Sequence, residues 1–314
     1  MFEKIRKKVR GRDALVVTGL KDYSLKDTVE CGQAFAFETV FESDEYIEYL
    51  VPIGCAVYLV GQSVPGELIF YGVTDEELEK VLAPYFSLCT DFSEIADKVA
   101  SAYPEKWFLE AVKRAKGIAI LKQDAWETLF SFIVSQNNNI PRIKKILRKL
   151  RLEYGENLAE KSGITACPLN KHSEKPSSAA CALCGACYSF PTADAVAENP
   201  EKMLSSNPGF RYRYLLDAAR RVKDKETMLD DIESHHSYAY SLEELKKITG
   251  VGDKVASCVA LFGLGNLDAF PIDVWMKRAI DNYFDGALNP LVFGEYAGVA
   301  QQYIFHYARN IENK

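Results

Sequence analysis

The chain has 314 residues, of which 48% are apolar and 26% charged, and its formal net charge is −6. This composition excludes a disordered or fibrous chain and is typical of a globular protein large enough for two or three domains. No apolar run is long enough to cross a membrane, and the basic N-terminus lacks the apolar core of a signal peptide, so we expect an intracellular protein.

The charge is distributed unevenly along the chain. Residues 1–103 carry a net charge of −8 and residues 152–314 one of −5, whereas residues 104–151 contain eleven Lys and Arg against four Asp and Glu, a net charge of +7. Local patches, more than the total charge, determine contact with nucleic acid. A solvated helix face is the other explanation of such a segment.

Residues 1–103 are predicted to form an antiparallel β domain. Short β-branched and aromatic runs, separated by Gly, Pro, Ser and Asp, indicate strands near residues 13–19, 34–41, 46–54, 56–61 and 67–73. Helical patterns follow over residues 75–86 and 92–103. We interpret Gly32 as a strand glycine, either a β-bulge or a point where a ligand comes close to the backbone.

Residues 104–151 are predicted to be helical, with one polar interruption at Asn137-Asn138-Asn139. Successive asparagines favour caps and turns over helix interiors, and their amides can bind bases or phosphates. An ordinary interhelical turn explains the same composition. Arg142 follows in the first turn of the next predicted helix.

Residues 163–190 have the composition of a loop and are predicted to be an insertion with clustered cysteines. The pattern is C-x13-C-x2-C-x2-C, formed by Cys167, Cys181, Cys184 and Cys187. In a reducing compartment such a cluster indicates metal rather than disulfides, and four thiolates suit a tetrahedral structural Zn²⁺. An iron–sulfur cluster is the less favoured alternative, a loop without metal is a third, and His172 is a substitute candidate for one ligand.

The segment after the insertion predicts two helices around Asn207-Pro208-Gly209-Phe210-Arg211. Most aromatic side chains are buried, so before any resemblance is considered a core position for Phe210 is about as expected as an exposed one.

Residues 241–264 have the pattern of a helix-hairpin-helix. Ser241 followed by Glu244 matches a capping box at the start of the first helix. Gly250-Val251-Gly252 allows a tight hairpin whose backbone N–H groups can approach a phosphate. The second helix follows directly and places Lys254 in its first turn, where the helix dipole disfavours a charged amine and favours the neutral, nucleophilic form.

Asp273 precedes another helical run, where a carboxylate can cap the helix and still present an oxygen to a cleft. An amine nucleophile and a fixed carboxylate beside a phosphate-binding hairpin suit chemistry at the anomeric carbon of a sugar. A last helix is predicted over the sequence EYAGVAQQYIFHYARN.

Five motifs in order, from Gly32 to Phe305, resemble those of the 8-oxoguanine DNA glycosylase/lyase family, within the helix-hairpin-helix, Gly/Pro-Asp superfamily of base-excision glycosylases. They are the Gly-Gln-x-Phe segment, the Asn-Asn-Asn-Ile-x-Arg segment, the Gly-aromatic-Arg turn, the hairpin with its lysine and aspartate, and the Tyr-Ala-Gly-x-Ala-Gln helix. The resemblance implies an α+β fold, with an N-terminal antiparallel β-sheet domain over 1–103. An all-α glycosylase region of two helical subdomains would follow over 104–314 and contain the Cys-rich loop insertion, with a cleft between the two parts.

The resemblance also implies roles for single residues. The catalytic residues would be Lys254 and Asp273, and the base pocket would be formed by Gly32, Cys258, Gln301 and Phe305. The Gly32 carbonyl would accept a hydrogen bond from the N7–H of 8-oxoguanine. Phe210 would wedge into the stack of DNA bases. Arg142 and Arg211 would read the orphaned cytosine. The DNA-binding residues would be Asn137, Asn138, Asn139, Arg142, Phe210, Arg211, Gly250, Gly252, Val255 and Trp275, with phosphate contacts from Lys144, Lys145, Arg148 and Lys149. Many relatives have a histidine at the position of Trp275, so a proton-carrying role is lost there.

The sequence therefore predicts a bifunctional enzyme that flips out and excises 8-oxoguanine from duplex DNA, opposite cytosine, through a lysine Schiff base and β-elimination. No catalytic cofactor is expected, the Zn²⁺ would be structural, and the enzyme would act as a monomer on double-stranded DNA in the cytoplasm, at the nucleoid, or in a nucleus. Two alternatives are open. One is an oxidised-pyrimidine glycosylase/lyase of the same superfamily, and the other is a non-catalytic helix-hairpin-helix DNA-binding protein.

Overall fold

A computed structural model describes residues 2–158 and 185–312. The strands are β1 (Glu3–Val9), β2 (Arg12–Thr18), β3 (Glu38–Glu42), β4 (Ile47–Ile53), β5 (Ala56–Gln62) and β6 (Leu68–Tyr71). They form one sheet in the order β1-β2-β6-β5-β4-β3, in which all neighbouring strands are antiparallel. The predicted antiparallel sheet, followed by helices, is confirmed, and the fold class is α+β.

Strand β1 is missing from the sequence prediction, because the segment EKIRKKV lacks the apolar alternation that marks a half-buried strand. Six of its seven residues are exposed, and it pairs with β2 along its whole length. Lys4 also forms a salt bridge with Asp75, in which Nζ lies 2.7 Å from Oδ1. Pairing with a neighbour, not side-chain pattern, makes this segment a strand.

Gly32 does not lie in a strand, so the interpretation as a strand glycine or β-bulge is wrong. The residues before it form the short helix α1 (Leu25–Glu30), whose N-cap Ser24 accepts a hydrogen bond from the Asp27 N–H. Gly32 follows the end of α1 with φ +91°, in the left-handed region that other residues rarely adopt. The turn at the end of α1 therefore requires a glycine at this position. The strand predicted near residues 34–41 begins later than expected and corresponds to β3 (Glu38–Glu42).

Helices make up most of the chain after the sheet. They are α2 (Asp75–Glu77), α3 (Ala83–Tyr85), α4 (Phe92–Ala102), α5 (Lys106–Ala115), α6 (Ala125–Ser135), α7 (Ile140–Tyr154), α8 (Ala193–Glu198), α9 (Tyr212–Lys223), α10 (Leu229–Ser234), α11 (Tyr238–Leu245), α12 (Asp253–Phe262), α13 (Val274–Tyr283) and α14 (Ala297–Glu312). A π-helical turn, Leu78–Leu82, joins α2 to α3. Within 2–158 and 185–312, no helix has both the length and the apolar character needed to cross a membrane.

The first helix of the helix-hairpin-helix begins one turn earlier than predicted. Ser237 caps α11, with its hydroxyl accepting from the Tyr240 N–H. Ser241, the predicted N-cap, lies inside α11, is completely buried and contacts the side-chain oxygen of Asn266 at 3.1 Å. Tyr238 and Tyr240 pack against the core and extend the helix toward its N-terminus. The predicted start of the second helix, directly after the Gly-Val-Gly hairpin, is confirmed.

One continuous hydrophobic core joins the inner face of the sheet to the helical region. Gln33, which is completely buried, fixes the Gly32 turn against the segment that follows α5. Its Nε2 donates to the carbonyls of Thr28 and Ala119, each at 2.8 Å. Its Oε1 accepts from the Leu121 N–H, also at 2.8 Å. The Gln33 amide therefore makes three of the hydrogen bonds that position Gly32 relative to the helices, and the Thr28 hydroxyl adds another by accepting from the Ala119 N–H at 3.0 Å.

We predict that Gln33→Met lowers the free energy of unfolding by about 3 kcal/mol, because methionine fills the volume but leaves three buried backbone groups without their hydrogen bonds to this side chain. Gln123→Met removes a single hydrogen bond, 2.7 Å long, to the Gln33 carbonyl and should cost about 1 kcal/mol. Urea denaturation followed by circular dichroism measures both values. Equal losses in the two variants would contradict this account of the junction.

Candidate active site

A cleft of about 780 Å³ lies between the Gly32 turn and the helical region. Its walls come from this turn, the loop between α6 and α7, the N-terminal ends of α12 and α13, and the middle of α14. The cleft brings together all six residues predicted for catalysis and base binding: Gly32, Lys254, Cys258, Asp273, Gln301 and Phe305. Folding therefore makes one site from motifs that are widely separated along the chain.

Lys254 lies in the first turn of α12 and reaches the cleft. Its Nζ donates a hydrogen bond to the Ser135 hydroxyl at 3.2 Å and lies 4.8 Å from the centroid of the Phe132 ring. Neither partner is predicted from the sequence. Their three-residue spacing on α6 puts them on one helix face, but only the fold shows that this face meets the lysine.

Asp273 is the N-cap of α13, as predicted. Its Oδ1 accepts a hydrogen bond from the Met276 N–H at 2.9 Å. The positive end of the α13 dipole stabilises a carboxylate at this position. The cap engages one carboxylate oxygen, and no other described residue forms a hydrogen bond with the second. Asp273 is thus held in place with an oxygen left for a ligand in the cleft.

Cys258 lies one turn after Lys254 on α12 and is buried. Burial raises the pKa of its thiol to about 11, while the positive charge of Lys254 lowers this pKa and the negative charge of Asp273 raises it. The thiol is therefore neutral at physiological pH. A neutral, buried thiol suits apolar contact with a ring face better than it suits nucleophilic chemistry.

Gly32 and Phe305 are close neighbours in the cleft. A methyl group built on Gly32 would lie 3.7 Å from the Phe305 ring and 3.8 Å from Nη1 of Arg309. No residue that the structure describes donates a hydrogen bond to the Gly32 carbonyl. The carbonyl is thus available as an acceptor beside an aromatic ring, as the base-pocket prediction requires.

The three asparagines form the turn between α6 and α7. Asn137 has the left-handed φ of +46°, and Asn138 Nδ2 donates to the Val134 carbonyl at 3.0 Å. Asn139 caps α7 by accepting from the Arg142 N–H at 3.0 Å. The predicted use of these residues in a cap and a turn is confirmed. All three line the cleft, and their contact with DNA stays a prediction.

Arg211 is almost fully buried, with 2% of its surface exposed. Its guanidinium donates to the carbonyls of Gln136, Asn137 and Pro208. Burial lowers the pKa of Arg211, and the nearby positive charge of Arg142 lowers it further. The resemblance implies that Arg211 contacts the orphaned base. In the structure its guanidinium holds the Asn137 turn in place, so a base contact stays a prediction.

Phe210 is 48% exposed, so the alternative of a core position is wrong. Its ring makes an edge contact with Tyr214, with centroids 6.1 Å apart. Tyr214 also packs against the hairpin, because a methyl group on Gly250 would lie only 2.4 Å from its Cγ. Gln136 Nε2 donates to the Gly250 carbonyl at 2.9 Å. These contacts connect Phe210 to the hairpin through Tyr214, and the hairpin to the asparagine turn through Gln136.

The two hairpin glycines have different reasons to be glycine. Gly250 has φ +82° and closely contacts the Tyr214 ring, so both its conformation and its packing exclude a side chain. Gly252 has an ordinary φ of −98°, and a methyl group there would meet nothing within 4 Å. Gly252 is thus the glycine that faces open space, where a phosphate can approach. Val255, which is buried, and Trp275, which is half-buried, line the cleft nearby.

The residues predicted to contact phosphate fall into two groups, according to whether their side chains are exposed or contact the protein itself. Lys145 and Arg148 are exposed, as is Arg142. In contrast, Lys144 Nζ lies 3.5 Å from the centroid of the Phe37 ring, and burial lowers its pKa. Lys149 donates to the Ser205 carbonyl at 2.9 Å. Lys144 therefore contacts the segment that contains Phe37, and Lys149 contacts the segment that contains Ser205.

Three of the four predicted metal ligands, Cys167, Cys181 and Cys184, lie outside the described residues. The fourth, Cys187, is buried in a small apolar cluster with Leu158 and Ala186. In the described part of the chain, no group of three His, Cys, Asp or Glu side chains is arranged to hold a metal. The predicted zinc loop is not confirmed.

The sequence is similar to those of known DNA repair enzymes. Residues 16–129 match the family model for the N-terminal domain of 8-oxoguanine DNA glycosylase. The chain is 30% identical over 274 residues to the N-glycosylase/DNA lyase of Saccharomyces cerevisiae, across 81% of this chain. The matched region spans 66% of the length of the yeast protein.

Two solved structures are similar over nearly the whole fold. One is the Clostridium acetobutylicum 8-oxoguanine glycosylase/lyase in complex with double-stranded DNA containing cytosine opposite 8-oxoG, at 31% identity and a TM-score of 0.79, covering 99% of this chain and 98% of that one. The other is MBOgg1 in complex with a low-affinity DNA ligand, at 30% identity and a TM-score of 0.81, covering 99% of each chain.

The hairpin glycines provide a matched pair of substitutions. We predict that Gly250→Ala lowers the free energy of unfolding by about 2 kcal/mol or more, because alanine is strained at positive φ and would collide with Tyr214. Gly252→Ala should change stability by less than about 0.5 kcal/mol but weaken duplex DNA binding, because its methyl group occupies the open surface. Thermal denaturation and fluorescence anisotropy measure the two effects. A Gly252→Ala variant that binds DNA with unchanged affinity would contradict the assignment.

Proposed function

We infer that this chain, which belongs to the 8-oxoguanine DNA glycosylase/lyase family, excises 8-oxoguanine from duplex DNA and then cleaves the resulting abasic site. The observation that carries this inference is the single cleft that holds Lys254 and Asp273 beside Gly32, Gln301 and Phe305. A protein that only binds DNA does not need an amine and a fixed carboxylate in a cleft large enough to hold a base. The enzyme would act wherever the DNA is, at the nucleoid in the cytoplasm or in a nucleus.

The substrate base must leave the helix before it can enter the cleft, because its C1′ is inaccessible within the stack. Phe210 is exposed at a turn and suited to fill the gap in the stack. Asn137 and Arg142 are also exposed. Asn137 would fill the space that the flipped base leaves, and Arg142 would read the orphaned base, which we propose to be cytosine. Gly252, Lys145 and Arg148 would face phosphates and position the duplex.

The extruded base would be recognised by a backbone carbonyl. The Gly32 carbonyl would accept a hydrogen bond from N7–H of 8-oxoguanine, a proton that normal guanine lacks. Phe305 would stack on one face of the base and the neutral thiol of Cys258 would contact the other. Gln301, which is 3% exposed, would bind the Watson–Crick edge.

The chemistry would proceed through the Lys254 amine. Its nitrogen attacks C1′, the bond from C1′ to the base breaks, and the electron pair leaves with the base, which takes up a proton. Asp273 stabilises the positive charge that develops on the sugar. The attached nitrogen loses its proton, the C1′–O4′ bond breaks, O4′ takes up a proton, and a Schiff base forms. Loss of a C2′ proton then breaks the C3′–O bond, and the DNA strand on the 3′ side leaves with a 5′-terminal phosphate.

Ser135 and Trp275 complete the proposed site. The Ser135 hydroxyl accepts from Lys254 Nζ and would direct the amine toward the sugar. Trp275 lines the cleft where many relatives have a histidine, and the Arg278 guanidinium lies 5.1 Å from its ring centroid. We propose that the indole N–H donates to a phosphate, which requires no proton transfer.

We also propose that the Cys-rich segment binds one structural Zn²⁺ through Cys167, Cys181, Cys184 and Cys187. Support comes from the close spacing of four cysteines and from the burial of Cys187, which is 1% exposed. Such a metal would stabilise the fold of the loop without taking part in the reaction.

We predict that borohydride traps the protein on a duplex with 8-oxoguanine opposite cytosine, and that Lys254→Gln abolishes both the adduct and base release, because an amide forms no Schiff base. Lys247→Gln, which changes an exposed lysine of the same segment, should form the adduct as the unsubstituted protein does. Denaturing gels measure the adduct. Base excision at the unsubstituted rate by Lys254→Gln would refute the assignment, and trapping only with oxidised pyrimidines would favour the other substrate class.

Asp273→Asn should slow base excision by about 10²- to 10⁴-fold in single-turnover assays while damaged DNA is still bound, because the negative charge is lost. Asparagine is an equally good N-cap, so α13 should be kept. The matched control is Asp253→Asn, an exposed carboxylate in the first turn of α12, which should leave the rate within about twofold. An unchanged rate in Asp273→Asn would refute the role.

Purified protein should contain about one equivalent of zinc by elemental analysis, and Cys184→Ser should lose it, because a tetrahedral site needs all four ligands. Cys89→Ser, at an exposed cysteine far from the loop in sequence, should retain the metal. Brown colour with iron in place of zinc would favour an iron–sulfur cluster. Protein without metal after anaerobic purification would contradict the zinc proposal.

A further inference from the structure

Lys277 is a second lysine in the wall of the cleft. It lies on α13, four residues after the Asp273 cap, and its side chain is exposed. The charged residues that line the cleft are three basic ones, Lys254, Lys277 and Arg309, and one acidic one, Asp273. An excess of positive charge along a cleft attracts anionic ligands.

The Lys277 ammonium, unlike the other two cations of the cleft, has no partner in the described part of the chain. Lys254 Nζ donates to the Ser135 hydroxyl at 3.2 Å, and Arg309 Nη1 donates to the Glu30 carbonyl at 3.5 Å. Within 2–158 and 185–312, Lys277 Nζ forms neither a hydrogen bond nor an ion pair. Its donors are therefore available to solvent or to a ligand.

Two carboxylates on α13, those of Asp273 and Asp281, lie four residues from Lys277. Residues at this spacing share one helix face, where opposite charges commonly form ion pairs. Neither carboxylate pairs with Lys277 among the described contacts, and Asp273 Oδ1 accepts instead from the Met276 N–H. An ion pair would neutralise the Asp273 carboxylate that the proposed reaction needs at the sugar. Without this pair, the ammonium is free for a different anion.

A nucleotide that enters the cleft brings such anions, because one phosphate precedes it and another follows it along the strand. Its sugar would lie between Lys254 and Asp273, and Lys277 follows Asp273 by one helical turn on the same face. A phosphate next to this sugar is thus within reach of Lys277. Lysine binds phosphate as a point charge, so the contact does not require one fixed orientation.

We propose that Lys277 binds one of the two phosphates that flank the extruded nucleotide. This contact holds the strand, not the reacting atoms, and so positions the sugar between Lys254 and Asp273. The inference rests on the proposed function, because it requires a nucleotide extruded into this cleft. It does not depend on which base the nucleotide carries.

The test removes charge from the protein and from the DNA separately. Lys277→Gln removes the ammonium, and a neutral methylphosphonate replaces the phosphate before or after a tetrahydrofuran abasic-site analogue in a duplex. This analogue has no leaving group at C1′, so it is bound without being cleaved. A further duplex has the methylphosphonate far from the analogue. Fluorescence anisotropy measures the affinity of each protein for each duplex.

We expect Lys277→Gln to weaken binding of the analogue duplex with all its phosphates about fivefold, and to reduce the slope of log affinity against log salt by about 1, because one phosphate contact is lost. When the methylphosphonate replaces the phosphate that Lys277 binds, the substitution should change affinity by less than about 1.5-fold. The full loss should persist when the methylphosphonate is on the other side of the analogue or far from it.

Two further variants separate charge from structure. Lys277→Arg keeps the positive charge and should bind within about twofold of the unsubstituted protein. The matched control is Lys113→Gln, at an exposed lysine on α5 that does not line the cleft, and it should change each affinity by less than about 1.5-fold.

Each outcome bears on one proposal. No loss on any duplex, equal losses on all of them, or a loss that disappears only with the distant methylphosphonate would overturn the contact. If the unsubstituted protein binds the analogue duplex no better than undamaged DNA, extrusion into the cleft fails, and the proposed function with it. If Lys277 is coupled to a flanking phosphate but 8-oxoguanine is not excised, the proposed substrate fails and the contact stands.

Discussion

The buried guanidinium of Arg211 forms the hydrogen bonds on which the proposed DNA-facing surface depends. It donates to the carbonyls of Gln136 and Asn137, and Gln136 in turn donates to the Gly250 carbonyl. These bonds connect the asparagine turn, the Phe210 turn and the hairpin. Because a buried charge is tolerated only when its donors are satisfied, the three loops must keep these relative positions or lose the interaction together.

The cleft combines two kinds of fixed group. Lys254 and Asp273 each lie at the N-terminal end of a helix, so backbone geometry sets their positions, while Ser135 directs the amine from a third helix. The side that we propose to face the base includes Gly32 and Gln301, and Gln301 is 3% exposed. Electrostatic stabilisation works best when charged and polar groups are fixed in position before the reaction, and the two helix ends fix Lys254 and Asp273 in this way.

The net charge of −6 is compatible with a DNA-binding protein because the charges are segregated. Residues 1–103 hold most of the acidic excess, a net charge of −8 that already includes paired residues such as Lys4 and Asp75. The basic segment 104–151 contributes exposed Lys145 and Arg148 on α7, the helix that follows the asparagine turn. At 0.1 M salt, dissolved ions screen the interaction between exposed charges more than about 10 Å apart. A local group of basic side chains can therefore attract DNA even though acidic residues lie elsewhere on the protein.

Local sequence alone determined the antiparallel strands, the order of sheet and helices, the helix after the hairpin and the Asp273 cap, because these depend on patterns within a few residues. Its motifs also identified the residues that meet in the cleft. Only the tertiary structure decided that the segment of β1 is a strand, that Ser241 is buried and that Arg211 supports a turn. The lack of a described partner for the Lys277 ammonium was equally invisible, because pairing, burial and hydrogen bonding between distant segments exist only after folding.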